Sequence, residues 1–108
     1  MGKLPLTEEN ANSEAASKSK PKSTILVGGK NVMSYVLACV TLFNKGATDV
    51  TIKARGRLIS RAVDVAEITR HRFISELKIA SITIGTTTVQ TEKGSDLNVS
   101  TIDITLAR

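Results

Sequence analysis

The chain has 108 residues, of which 41% are hydrophobic, and a formal net charge of +5. This length suits one domain, and a composition rich in Ile, Val and Thr is typical of a globular protein rather than a fibrous or disordered one. The apolar runs are far shorter than the roughly 18 residues that a transmembrane helix needs, and the first residues resemble neither a secretory signal nor a transit peptide. A single cysteine excludes an internal disulfide, so we expect an intracellular protein.

A polar tail is predicted for residues 1–23, followed by one folded domain over residues 24–108. The tail consists mainly of Ser, Glu, Lys, Asn and Ala, which bury too little apolar surface to offset the entropy cost of ordering. It is therefore expected to be disordered. Because it holds four lysines and three glutamates, most of the positive charge belongs to the domain.

The first half of the domain is predicted to form a strand, a helix and a second strand. The run STILVG, closed by Gly28 and Gly29, indicates a buried strand and a tight loop. Asn31 can cap a helix that ends near Gly46. The alternation in ATDVTIKA indicates the second strand. One helical face carries the apolar residues Met33, Val36, Leu37, Val40 and Phe43.

The second half is predicted to form a helix and a β-hairpin. The helix extends from about Leu58 to Phe73, and the segments LKIASITIGTTTVQT and LNVSTIDITLA form strands around the loop EKGSD, where Gly94 supplies a positive φ. A shift of apolar phase between Ile79 and Ile82 predicts a bulge. The predicted class is α/β, in the two-layer α+β sense: β-α-β-α-β-β, with a four-stranded mixed sheet, two helices on one face and a protruding C-terminal hairpin. The predicted apolar stripe of the second helix comprises Ile59, Ala62, Val63 and Ala66.

The segment KARGRLISRA concentrates positive charge at the start of the second helix. It holds Lys53, Arg55, Arg57 and Arg61 and no acidic residue. Helix starts favour anions, and Lys30 has the same relation to the first helix. Because strand-to-helix loops gather at the carboxyl ends of the strands, both basic loops should open on one edge and attract a row of phosphates. Alternatively, exposed ion pairs could neutralise these cations; the candidate acids are Asp49, Asp64 and Glu67.

Catalytic and metal-binding patterns are not evident in the sequence. His71 stands between two arginines and is interpreted as a surface residue, and Cys39, in the middle of the first helix, as a core residue. There is no Cys/His cluster for zinc and no complete phosphate-loop motif. We therefore expect no catalytic residue, metal or cofactor. Membrane-surface binding is disfavoured because no basic helix has an exposed apolar face.

The segments VMSYVLA, IKARGR followed by IS and AVD, and RHRF together resemble the Alba family of small, basic archaeal chromatin proteins. The resemblance continues through IGTTTV and VSTIDITL and covers nearly everything after the tail. It implies a homodimer in the cytoplasm, on the archaeal nucleoid, that binds double-stranded DNA and often RNA with little sequence preference. In the family, the dimer body follows the backbone, and the hairpins extend toward the minor groove.

The resemblance also implies roles for individual residues. Lys30 matches a lysine before the first helix, and Arg55 and Arg57 match the arginines of the second basic loop; all contact nucleic acid in the family. Lys93 would lie at the hairpin tip. Phe73, with Arg72 beside it, matches an aromatic residue that packs between neighbouring dimers, and its alternative is an ordinary core anchor. The remaining candidates for nucleic-acid contact are Gly29, Asn31, Lys53 and Arg61.

The first basic loop departs from the family pattern. Many relatives have GKKPV where this chain has GGKNV, so Gly29 replaces the first lysine and Asn31 the proline. The family's reversible acetylation is associated with that first lysine. Lys30 is therefore the candidate acetylation site, with an acetyltransferase and a deacetylase as implied partners.

The leading hypothesis is a non-enzymatic protein that coats and compacts duplex DNA as dimers and also binds RNA. The dimers would associate further along the DNA. The alternative is a dedicated RNA-binding subunit, associated with ribonuclease P or with translation. A nuclease or nucleotide-processing enzyme is a third class, for which no pair of base and nucleophile is evident.

Overall fold

A four-stranded mixed sheet carries both helices on one face in the computed structural model, which describes residues 23–108. The elements are β1 (Thr24–Leu26), α1 (Val32–Asn44), β2 (Asp49–Arg55), a 3₁₀ turn (Gly56–Leu58), α2 (Ile59–Ile68), a π-helical turn (Thr69–Phe73), β3 (Lys78–Gln90) and β4 (Asp96–Ala107). The predicted fold class is confirmed. The predicted tail lies outside the described residues except for Ser23, whose carbonyl accepts the Thr51 N–H at 2.8 Å.

The strands lie in the order β1-β2-β4-β3. The pair β1 and β2 is parallel, whereas β4 is antiparallel to both β2 and β3. The register places Ile25, Ile52, Ile104 and Ile82 in one row across the sheet. The helices cover this row only as far as β4, because Ile52 and Ile104 are buried while Ile82 is 55% exposed. One face of the edge strand β3 is therefore apolar and open.

The hydrophobic core lies between the helices and β1, β2 and β4. Its largest fully buried side chains include Phe43, Ile52, Leu77 and Leu106. Burying a side chain of this size contributes about 1.5–3 kcal/mol relative to exposure. Because buried residues alternate along β2 and β4, the opposite face of the sheet stays accessible to partners.

α1 begins and ends as the sequence predicts. The Asn31 side chain accepts the Ser34 N–H at 3.1 Å, and Gly46 follows the helix with a φ of 105°. The predicted apolar face is only partly correct. Val36 and Phe43 are buried, but Met33 and Leu37 are 40% and 54% exposed, because they lie outside the helix surface that contacts the core.

The second helical segment differs from the predicted continuous helix. α2 itself ends at Ile68, and the chain continues as a π-helical turn in which the Ile74 N–H donates to the Thr69 carbonyl. Thr69 is buried, and its hydroxyl donates to the Val65 carbonyl at 2.7 Å. The buried face therefore includes Thr69, and the prediction that Val63 lies in it is wrong, since Val63 is 42% exposed. A polar residue in the core face concealed the true phase of the helix.

The predicted bulge and hairpin turn are both confirmed. The pairing of β3 with β4 shifts between Ile79 and Ser81, so Ala80 is the additional residue. At the tip, the Gly94 N–H donates to the Thr91 carbonyl, and Gly94 has a φ of 83°. The long hairpin extends beyond the helices, with most of residues 86–100 exposed. Among the described residues, no helix is long and apolar enough to cross a membrane.

Candidate functional site

Two basic loops leave the same edge of the sheet. β1 and β2 are parallel neighbours, with Leu26 beside Lys53, so the segments that follow them emerge side by side. The first loop carries Lys30 and the second carries Arg55 and Arg57, and all three side chains are exposed. The predicted common edge is therefore present. We call residues 28–31 the first basic loop and residues 55–57 the second basic loop.

Tyr35 organises the first basic loop. Its hydroxyl oxygen accepts the Gly28 N–H at 2.8 Å and the Lys30 N–H at 3.2 Å. Because the phenol comes from α1, the loop backbone is held against the first turns of that helix. Position 28 has little room for a side chain, because an added Cβ would lie 3.3 Å from the Tyr35 hydroxyl oxygen. Position 29 is open, since no atom lies within 4 Å of a Cβ there. Both Gly29 and Asn31 are exposed.

Gly56 turns the second basic loop into the helical segment. Its φ of 59° lies in the left-handed region, where residues with a Cβ are disfavoured. A Cβ at this position would lie 3.4 Å from Val99 of the hairpin, so the loop also passes close to β4. Arg55 and Arg57 thus flank a turn that depends on a glycine conformation.

Arg61 ties the first basic loop to α2, the helix that follows the second basic loop. Its guanidinium Nη1 donates to the Lys30 carbonyl at 2.8 Å, from a side chain that is only partly exposed. This contact connects α2 to the first basic loop across 31 residues of sequence. Arg61 therefore adds positive charge to the edge and also fixes the position of Lys30.

The acidic residues leave most of this charge uncompensated. None of the ion pairs between residues 23 and 108 includes Lys30, Arg55 or Arg57. Lys53 does pair with Asp103, at 3.2 Å on the helix-free face. Of the candidate neutralising acids, Glu67 contacts Arg70 and His71 instead. The hydrogen bond from Arg70 is the main cause that lowers the pKa of Glu67.

The remaining predicted residues lie away from the two basic loops. Lys93 is exposed in the turn of the hairpin, as predicted. Phe73 and Arg72 lie in the π-helical turn, at the other end of the helical segment that begins beside Arg57. Phe73 is 45% exposed, so it is not an ordinary core anchor.

Cys39 and His71 both lie outside the two basic loops. Cys39 is fully buried, and burial raises the pKa of its thiol to about 11. The exposed His71 ring contacts Glu67, with Nε2 3.1 Å from the carboxylate. Within residues 23–108, no group of three His, Cys, Asp or Glu residues is arranged to hold a metal ion.

Sequence reasoning did not identify Tyr35 as a site residue. An aromatic residue in a helical apolar pattern reads as part of the core, and the hydroxyl contacts follow only from the folded path of the loop. The partial signal was its position one turn after the Asn31 cap, close enough for the side chain to reach back to the loop.

Comparison with known proteins identifies relatives along the whole domain. Residues 23–86 match the family model described as Alba. The chain is 58% identical over 86 residues to the DNA/RNA-binding protein Alba of Methanocella arvoryzae, covering 80% of this chain and 90% of that protein. It is 54% identical over 87 residues to the DNA/RNA-binding protein Alba 1 of Archaeoglobus fulgidus, with 81% and 97% covered. The solved structure of Alba from Thermoplasma volcanium superposes with a TM-score of 0.77 at 56% identity, covering 80% of this chain and 100% of that one.

Proposed function

Because the chain belongs to the Alba family, we propose that it is a non-enzymatic protein that binds double-stranded DNA, and also RNA, with little sequence preference. The observation that carries the proposal is the pair of neighbouring basic loops. Lys30, Arg55 and Arg57 lie on one edge, exposed and without ion-pair partners among the described residues, and Arg61 of α2 holds the first loop in place. The relatives are themselves named DNA/RNA-binding proteins, which agrees with this partner.

The edge of the sheet that carries both basic loops, here called the basic edge, is suited to contact the phosphate backbone of nucleic acid and not its bases. Exposed arginines can form bidentate hydrogen bonds with phosphates, and such contacts position a protein on a duplex without reading its sequence. The hairpin extends away from the body with Lys93 at its tip, where it can reach a neighbouring groove. Binding through the backbone explains weak sequence preference, since every duplex offers the same phosphates.

We further propose that the protein acts as a homodimer that coats and compacts DNA in the cytoplasm, on the chromosome. The open apolar face of β3 supports dimerisation, because Ile82 and Ile84 are 55% and 77% exposed. The exposed Phe73 is a contact between neighbouring dimers, with Arg72 beside it. Lys30 is exposed and therefore accessible to an acetyltransferase and a deacetylase, which would alter the charge of the first basic loop.

The salt dependence of binding tests the basic edge. On B-DNA, log affinity should fall linearly with log salt, with a slope of about −0.9 for each phosphate neutralised. Arg55→Ala and Arg57→Ala should each weaken binding to all sequences alike and reduce the slope magnitude by roughly one. Fluorescence anisotropy titrations over a range of salt concentrations measure both quantities.

Lys45→Ala is the matched control. Lys45 is an exposed cation that follows α1 at the opposite edge of the sheet, so its removal should leave the slope unchanged. Equal slopes for the parent, Arg55→Ala and Arg57→Ala would refute the basic edge. Parallel titrations with duplex DNA, duplex RNA and structured RNA test the order of partners, and a clear preference for structured RNA would instead indicate a dedicated RNA-binding subunit.

A further inference from the structure

We propose that a groove on the helix-free face of the sheet binds an unpaired base of single-stranded nucleic acid. The groove has a volume of about 680 Å³, and its lining includes Leu26, Lys53, Arg55, Leu58, Thr101 and Asp103. Sites for small ligands typically measure roughly 300–1,000 Å³. This inference rests on the proposed function, because Arg55 belongs both to the groove and to the basic edge.

The sheet register assembles the groove from three strands. Leu26 of β1 pairs with Lys53 of β2, and Lys53 pairs with Asp103 of β4. These side chains therefore form one row on the face opposite the helices. Arg55 and Thr101 form the next row toward the basic edge. The groove thus leads from the centre of the open face to the phosphate contacts.

Leu26 provides an exposed apolar platform in the groove. It is 71% exposed and pairs with Lys53 across the sheet, and Val27, Ala54 and Leu58 add apolar surface to the lining. A nucleobase offers a flat face that can pack against this apolar side chain, and such packing does not depend on which base is present because every base has a flat face. Arg55 can cover the same base, since guanidinium planes stack on unpaired bases as aromatic side chains do.

Lys53 and Asp103 supply the polar wall of the groove. The Lys53 Nζ lies 3.2 Å from Asp103 Oδ2, so a hydrogen-bond donor and an acceptor stand side by side. The edge that each base uses for pairing also presents a donor beside an acceptor. In a duplex those groups are already bonded to the opposite strand. The groove therefore distinguishes unpaired from paired bases, and not one base from another.

Four fluorescent probes test the groove at one salt concentration: a thymidine homopolymer, a uridine homopolymer, a strand of abasic sites of equal length, and a DNA duplex. Leu26→Ser should weaken binding of both homopolymers about five- to tenfold, as expected from the loss of apolar contact area. Binding of the abasic strand and the duplex should not change. Leu26→Phe should have the opposite effect and strengthen binding of the homopolymers only.

Leu37→Ser is the control, because Leu37 is similarly exposed on α1, at 54%, away from the groove. Parental affinity of Leu26→Ser for both homopolymers would overturn the proposal, as would an equal loss for the abasic strand. Loss with only one homopolymer would also contradict it, because the groove is proposed to accept any unpaired base. If the parent fails to bind the duplex but shows the Leu26 effect, the proposed duplex function fails while the groove stands.

Discussion

At the scale of single residues, the basic edge depends on Tyr35 as well as on its cations. A charge attracts phosphate from any position, but a loop must hold its shape to present that charge in register with a second loop. The Tyr35 hydroxyl fixes the backbone at Gly28 and Lys30, and Arg61 fixes the Lys30 carbonyl. The first basic loop is thereby preorganised, which lowers the ordering cost of binding.

Tyr35→Phe should weaken duplex binding several-fold without changing its salt slope. The substitution removes the acceptor for two N–H groups but retains the ring and every charge. Affinity should therefore fall only because the first basic loop is less ordered. Stability should fall by about 1 kcal/mol or less, because water can replace the lost bonds at an exposed loop. Lys30→Ala provides the contrast, since it should reduce the slope magnitude by roughly one.

Amide hydrogen exchange gives an independent measure of this effect. In Tyr35→Phe, the Gly28 and Lys30 amides should exchange faster than in the parent, while core amides such as Ile52 keep their protection. Unchanged exchange at both loop amides would mean that the hydroxyl does not order the loop, and the role assigned to Tyr35 would be wrong.

The cations of the site could be predicted from the sequence, but the contacts that position them could not. The sequence alone shows which cations follow a predicted strand, and these are Lys30, Arg55 and Arg57. The hydrogen bond from Arg61 to Lys30 spans 31 residues and exists only because β1 and β2 are adjacent. Residues with a positioning role therefore remain hidden until the register of the sheet is known.

At the scale of secondary-structure elements, the junction between β2 and α2 depends on Gly56. This residue begins the 3₁₀ turn between the two elements with a φ of 59°, and Arg55 and Arg57 flank it in the chain. A residue with a Cβ pays a steric cost in this conformation, so substitution should alter both stability and the orientation of the basic loop.

Gly56→Ala should lower the free energy of unfolding by about 1–2 kcal/mol. For a domain of this size, each kcal/mol corresponds to a Tm decrease of roughly 4–8 °C. The cause is the left-handed φ and not crowding, because the added Cβ would lie at an ordinary 3.4 Å from Val99. Thermal unfolding followed by circular dichroism measures the change.

Gly29→Ala is the matched control for stability. No atom lies within 4 Å of a Cβ at that position, and its φ is not in the left-handed region. Its Tm should equal or slightly exceed that of the parent, since alanine reduces the entropy of the unfolded chain. Equal stability of both glycine variants would show that the turn adopts another conformation in solution.

The order of elements was predictable because each has a strong local pattern, whereas the detail of α2 was not. The alternation of apolar and polar residues in β2 and the helix cap at Asn31 are local sequence patterns, and both are present in the folded chain. The π-helical turn after Ile68 is closed by the hydrogen bond from the Ile74 N–H to the Thr69 carbonyl, and an apolar pattern with a period of 3.6 residues does not predict such a turn. The buried face of α2 carries Val65, whereas the predicted stripe carried Val63.

At the scale of the whole molecule, charge and apolar surface lie in different places. The two basic loops occupy one edge of the sheet, and the apolar row of β3 occupies an edge strand that the helices leave open. Ile79, Ile82 and Ile84 are 37%, 55% and 77% exposed along that row. In the proposed dimer, two copies would associate through this apolar row of β3 and leave the basic loops of each copy uncovered.

Ile84→Asp should convert the proposed dimer into a monomer. The side chain is largely exposed in the single chain, so the substitution spares the core, but it places a charge within the apolar contact that the dimer would bury. Sedimentation velocity measures the mass, and the salt slope on duplex DNA should fall to about half, because each monomer neutralises half as many phosphates.

Phe73→Ala is the contrasting variant: it should remain dimeric and retain the slope per dimer, yet bind long DNA less cooperatively. A dimeric Ile84→Asp protein would place the dimer contact elsewhere, and parental cooperativity in Phe73→Ala would remove Phe73 from the contact between dimers.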